Sequence, residues 1–185
     1  SDKGGDSSNV DQVLYGVERI FSTKESFAAL TSSGNVIAWG NESNGGNNLS
    51  VFSQLQNVVS ISSTDHAYAA LKDDGSVVTW GDPYGGGDSS SVSNELSSGV
   101  QEIFSSSGAF AALKEDGSVV TWGDPDYGGD SSMYSSFISS QLFSGVKEIF
   151  SNYRGFAFLK EDGSVDTWSG DVDDGFNDIV RNQLT

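Results

Sequence analysis

Tryptophan recurs at a near-constant interval. Trp39, Trp80, Trp122 and Trp168 stand 41, 42 and 46 residues apart. Ile20, Ile61, Ile103 and Ile149 keep the same spacings, as do Leu30, Leu71, Leu113 and Leu159, and Gly34, Gly75, Gly117 and Gly163. A chain built this way stacks copies of one supersecondary unit, because a single unit cannot bury its own hydrophobic face. The fold problem therefore reduces to one repeat and the way its copies meet.

The third unit reads most clearly. Three strands are predicted in it, near Val100 to Phe104, near Ala109 to Lys114 and near Ser118 to Trp122. They are short and rich in Val, Ile, Phe and Trp, the residues that fit a pleated surface. Glu115-Asp116-Gly117 joins the last two, and an Asp-Gly between apolar runs marks a hairpin. Each tryptophan is followed by a Gly/Asp-rich loop and then a Ser-rich stretch ending in an apolar residue. That stretch holds either a short helical turn or a fourth, outer strand, which periodicity does not separate.

The expected architecture is all-β: a propeller-like array of four blades with three to four strands each, forming one domain over 1–185. The units span about 4–43, 44–84, 85–126 and 127–173, with a surplus connecting segment at 174–185. Three arrangements are open: a closed four-blade ring, an arc completed by dimerisation with a second copy, or an uncurved stack. The outer units depart from the middle ones. Unit one has Ser33-Gly34 in place of Asp-Gly, and unit four has Asp166 where the others have Ile37, Val78 and Val120. Alternation puts Asp166 on the tryptophan's face, so that face is expected to be less covered in the last unit. Atypical terminal repeats cap an array, so the expectation is that four units are the whole of it.

Charge narrows the partners. With 26 acidic and 9 basic residues the net charge is −17. Such a surface repels phosphate backbones and anionic bilayers, so no nucleic acid and no membrane insertion are expected, while basic partners and cations are favoured. The chain has no cysteine, which removes disulfides, thiolate nucleophiles and cysteine metal sites. The compartment stays open, with an extracellular or secreted setting favoured over others.

The string FAALKEDGSVVTWG resembles the repeat of the regulator-of-chromosome-condensation family, especially its bacterial branch, which includes the type II β-lactamase inhibitor proteins. Ala112-Leu113, Asp116-Gly117, Val119 and Trp122-Gly123 carry the resemblance, which recurs four times along the chain. It implies a β-propeller, in that family usually of seven blades. It also implies roles as varied as nucleotide exchange, light sensing, enzyme inhibition and scaffolding. The family often places a histidine just before the second strand; His66 alone stands near that place here.

Strand direction sets the candidate surface. Strand one runs out to the Ser-rich turn, strand two returns to Asp-Gly, and strand three runs out again to Trp-Gly. The Ser-rich turns and post-tryptophan loops therefore share one side, and the hairpins take the other. Loop sequences vary between units and hairpins barely do. Tyrosine in polar loops offers rigid amphipathic contact area, so the partner-binding candidates are His66, Tyr84, Tyr127, Tyr153 and Arg154. The four tryptophans are read as packing between blades, with a ring of sugar-stacking aromatics as the alternative.

Little points to catalysis. No nucleophile elbow or phosphate loop occurs, and a single histidine leaves no material for a triad. Asp171, Asp173 and Asp174 form the nearest thing to a cation loop, one residue short of the calcium pattern and without its distal Glu. Calcium there is the only cofactor considered. The reading is a non-catalytic protein-binding module acting through its loop side. The alternatives are a self-assembling repeat (dimer or array) and a carbohydrate- or calcium-binding adhesin-like module.

Overall fold

The computed structural model describes residues 4, 6–129 and 144–169. Asp171, Asp173, Asp174 and the surplus segment lie outside them.

Among the described residues, twelve strands form four separate three-stranded antiparallel sheets, each a meander. Blade one holds β1 (Val17–Ser22), β2 (Ser26–Thr31) and β3 (Val36–Gly40). Blade two holds β4 (Val58–Ser63), β5 (Ala67–Lys72) and β6 (Val77–Gly81). Blade three holds β7 (Val100–Ser105), β8 (Ala109–Lys114) and β9 (Val119–Gly123). Blade four holds β10 (Val146–Ser151), β11 (Gly155–Lys160) and β12 (Val165–Ser169). The strands expected in the third unit are present within a residue at each end. The connecting segments after β3 and β6 contain short helical turns, at Phe52–Gln54, Ser90–Val92 and Glu95–Ser97, rather than a fourth strand.

Each first strand carries the same irregularity. The register against the second strand slips by one residue between Val17 and Arg19, Val58 and Ser60, Val100 and Glu102, and Val146 and Glu148. The extra residue is a β-bulge, which raises local twist. Four identical bulges give four blades of one shape.

Packing between blades follows from strand alternation. Call the face turned to the preceding blade the leading face and the other the trailing face. Ala28, Leu30 and Val36 of blade one's trailing face pack with Val58, Ile61, Tyr68, Ala70, Val78 and Trp80 of blade two's leading face. Leu55 from the connecting segment joins this core, and Leu96 does the same between blades two and three. Leu113, Val119 and Phe104 meet Val146, Ile149, Phe156, Phe158 and Trp168 between blades three and four. Among the described residues the hydrophobic core is thus three slabs between blades, not one centre.

A latch closes each slab. Every tryptophan stacks over or pairs across from an aromatic of the middle strand: Phe27 with Trp39, Tyr68 with Trp80, Phe110 with Trp122 and Phe156 with Trp168. Each indole N–H donates to a glycine carbonyl in the segment that precedes its own blade. Trp80 reaches Gly45 at 3.0 Å, Trp122 reaches Gly86 at 3.1 Å, and Trp168 reaches Gly128 at 3.0 Å. Trp39 reaches Gly4 at 3.1 Å. Gly86 must be glycine: its φ is +97°, and a Cβ there would lie 2.6 Å from the Phe110 ring. Burying an indole with its N–H satisfied is favourable on both counts. Trp80, Trp122 and Trp168 therefore serve as inter-blade packing.

One expectation changes. Asp166 does not mark an uncovered face. It is largely buried and pairs with Lys160 at 2.7 Å, while Ile149, Phe156, Phe158 and Trp168 beside it are all buried against blade three. A buried charge is tolerated when paired. Of the three arrangements left open, a closed four-blade ring is not formed among the described residues. Ile20 on blade one's leading face is 61% exposed, whereas its counterparts Ile61, Ile103 and Ile149 are 5%, 7% and 2% exposed.

Candidate functional site

The turns between first and second strands come together on one side. Lys24, Asp65, Ser107 and Tyr153 hold the same position in the four units. Their backbones form a relay: Lys24 N–H donates to Asp65 C=O at 2.9 Å, Asp65 N–H to Ser107 C=O at 2.9 Å, and Ser107 N–H to Tyr153 C=O at 3.2 Å. One position from each blade is thereby tied in series. The post-tryptophan loops lie on this same side, since the hydroxyls of Ser26, Thr64 and Ser106 donate to the carbonyls of Asn44, Gly85 and Tyr127.

Loop and turn fill shared space in a size-compensated way. In blade two the turn carries His66 and the loop opposite carries Gly85; a Cβ on Gly85 would sit 3.1 Å from His66 Cβ. In blade three the sizes are exchanged. Gly108 occupies the turn, and the Tyr127 ring lies where its Cβ would be, 2.8 Å away. In blade one Glu25 and Asn44 share the space through a 3.4 Å contact between carboxylate and amide. His66 is therefore a packing element of its loop, half-buried, with its carbonyl accepting from Asp82 N–H.

The Gly108 gap lets Tyr127 reach across to the next blade. Tyr127 and Tyr153 meet edge to face with ring centroids 5.7 Å apart. The Tyr153 hydroxyl, then its charge, pushes the Tyr127 phenol above its usual value, while Arg154 works in the opposite direction. Lys24 pairs with Asp65 at 2.7 Å. That hydrogen bond, then the Asp65 charge, raises the Lys24 ammonium above its ordinary range, with smaller contributions from Tyr153 and Tyr127. The surface so assembled is two tyrosines framed by Arg154, Lys24 and Asp65.

Of the residues singled out from sequence, Tyr127, Tyr153 and Arg154 come together. Tyr84 does not join them. It is 83% exposed and aligns with Asp126 rather than Tyr127, because the glycine acceptors Gly86 and Gly128 fix the register of the two loops. Its N–H is held by Asp82 Oδ1 at 2.8 Å. Lys24 and Asp65 were missed. The signal for them was present in the third residue of each Ser-rich turn, which varies as Lys, Asp, Ser and Tyr while its neighbours keep the turn.

No protein-family model matches the sequence, and no curated protein matches it. Solved structures do. Yeast RCC1 (Prp20), bound to Kap60, is 15% identical over 84% of this chain with a TM-score of 0.57. Human WBSCR16 is 18% identical over 83% of the chain with a TM-score of 0.54. Prp20p from Saccharomyces cerevisiae, in a second structure, is 19% identical over 82% with a TM-score of 0.52. The chain spans 44%, 47% and 43% of those proteins, less than half of each. Four three-stranded blades, latched by tryptophan and matched to these structures, give this chain an RCC1-like β-propeller fold.

Proposed function

We propose that the chain is a non-catalytic protein-binding module whose recognition surface is the loop side, centred on Tyr127 and Tyr153. The observation that carries this is their edge-to-face pair beside Arg154, Lys24 and Asp65, mounted on turns tied by backbone hydrogen bonds. Tyrosine and arginine are the residues that most often dominate interface energetics. A scaffold that already holds them loses little entropy on binding. The partner is a protein with a basic surface, because a net charge of −17 steers such molecules in. The structural neighbour Prp20p has binding properties to Gsp1p and to histones, and histones are basic.

Purified core histones serve as the basic protein probe. Tyr127→Ala/Tyr153→Ala is expected to bind them about tenfold more weakly, or less, while Tyr84→Ala binds as the wild type does. Equal binding by the double variant and the wild type sinks the reading, as does failure of the wild type to bind.

A further inference from the structure

The two ends of the array are complementary to each other. Blade one's leading face presents Val17, Ile20, Phe27, Ile37 and Trp39. These are the positions that in blade two, as Val58, Ile61, Tyr68, Val78 and Trp80, form a core with blade one. In blade one the five belong to no inter-blade core among the described residues; Phe27 and Trp39 meet Gly4 of the preceding segment, and Ile20 is 61% exposed. Leu14, in the connecting segment before blade one, is only half-buried, whereas Leu55 and Leu96 in the corresponding segments are buried. At the far end, blade four's trailing face presents Phe150, Ala157, Leu159 and Val165. Their counterparts Phe104, Ala111, Leu113 and Val119 belong to the core between blades three and four. Phe150 is 53% exposed, and Leu159 is half-buried where Leu30, Leu71 and Leu113 are buried.

We infer that blade four's trailing face docks on blade one's leading face of a second copy, so that two chains join head to tail and close an eight-blade ring. The contact is not a new kind of surface. It repeats an interface that the chain already makes three times with the same residue types at the same positions. Each junction seals exposed apolar side chains, which is the dominant favourable term in association. A head-to-tail contact closes a ring when the rotation per unit allows it. Eight blades lie within the usual propeller range, and closure leaves neither end face uncovered. The loop side stays free, because the junctions lie between blades. This inference stands independently of the proposed binding surface.

Sedimentation equilibrium of the full 185-residue chain across a wide concentration range gives the first result. The expected mass is twice the 19.5 kDa of one chain. A single-chain mass throughout overturns the inference, and so does a mass that climbs without limit, which would mean an open filament. Ile20→Asp and Phe150→Asp each place a charge on one end face that is exposed in the single chain. Each is expected to weaken self-association at least tenfold. Mixed together, they should pair through the one intact junction, since one variant keeps its trailing face and the other its leading face. A mixture that stays single-chain overturns the head-to-tail geometry.

Cross-linking keeps the test decisive if either charged variant fails to fold. Phe104 and Ile149 lie in one core and are the internal counterparts of Phe150 and Ile20. The chain has no cysteine of its own. Ile20→Cys/Phe150→Cys should therefore oxidise to a covalent two-chain species that runs as one chain after reduction. Absence of that species under oxidising conditions overturns the inference.

Discussion

Blades one and three are built from nearly the same residues and live in different surroundings. Trp39 and Trp122 both stack on an aromatic of the middle strand, at 5.5 and 5.2 Å, and both donate to a glycine carbonyl at 3.1 Å. Yet Trp122 is buried and Trp39 only half-buried. Ile103 is buried and Ile20 is exposed. Local geometry is the same in the two blades; what differs is whether another blade stands in front. In a repeat array the energetic value of a residue is set by its neighbour unit as much as by its own strand.

The largest expected contrast is at the tryptophans. Trp122→Ala should cost about 3–5 kcal/mol, the range for deleting a buried aromatic. Trp39→Ala should cost less than half of that, because less apolar surface is returned to water. Urea unfolding of the dissociated chain measures both, and equal losses would break the comparison.

Isoleucine gives the next contrast. Ile103→Ala should cost about 2–5 kcal/mol through the cavity left between blades two and three. Ile20→Ala should stay within about 0.5 kcal/mol, as for an exposed position. A loss at Ile20 that grows with protein concentration would instead report the proposed junction.

Glycine sharpens the comparison to a single backbone position. Gly86→Ala must place a methyl 2.6 Å from the Phe110 ring at φ +97°, while Gly145→Ala at φ +65° meets nothing within 4 Å. The Gly145 substitution carries backbone strain alone, about 1 kcal/mol. The Gly86 substitution adds the clash and should exceed it by about 1–3 kcal/mol, the usual cost of overpacking. Thermal melts of the two variants decide this, and similar shifts would remove the latch from the account.

The smallest expected effect separates the hairpins. Asp74, Asp116 and Asp162 each accept from the hydroxyl and N–H of the serine two residues on, at 2.5–3.0 Å. The serine hydrogen bonds hold all three carboxyls below the usual carboxylate value. A depressed folded value means stability that is present above about pH 4 and lost as pH falls through the folded value. Blade one has Ser33 there and lacks this dependence. Blade one also has Asn35 in place of the serine, so Ser33→Asp/Asn35→Ser should add a fourth acid-sensitive turn, seen as a slightly larger loss of melting temperature on acidification. An unchanged profile would dissociate the serine contact from stability.

Much of this was readable from the chain. Ile103, Leu113, Gly117 and Trp122 recur because each blade needs the same buried positions, and the Asp-Gly turns mark the hairpin because glycine accepts a positive φ. The candidate surface was readable only in part. Tyr84 and Tyr127 look equivalent in sequence, one residue of slack apart, and only the carbonyl that meets each indole fixes which of them faces the neighbouring blade. Lys24 and Asp65 were hidden because their partners lie one or more blades away. Asp166 misled, since alternation gives the face of a residue but not the lysine that comes to meet it.

The sequence alone determined the repeat, the three strands of each blade, the side on which loops gather and the packing role of tryptophan. All of these follow from short-range periodicity and turn chemistry. Tertiary structure decided the bulge in every first strand, the indole-to-glycine latch, the Tyr127–Tyr153 pair and the open end faces. The last three depend on what lies across the next slab of packed side chains, about 43 residues away, and a local pattern carries no record of that distance.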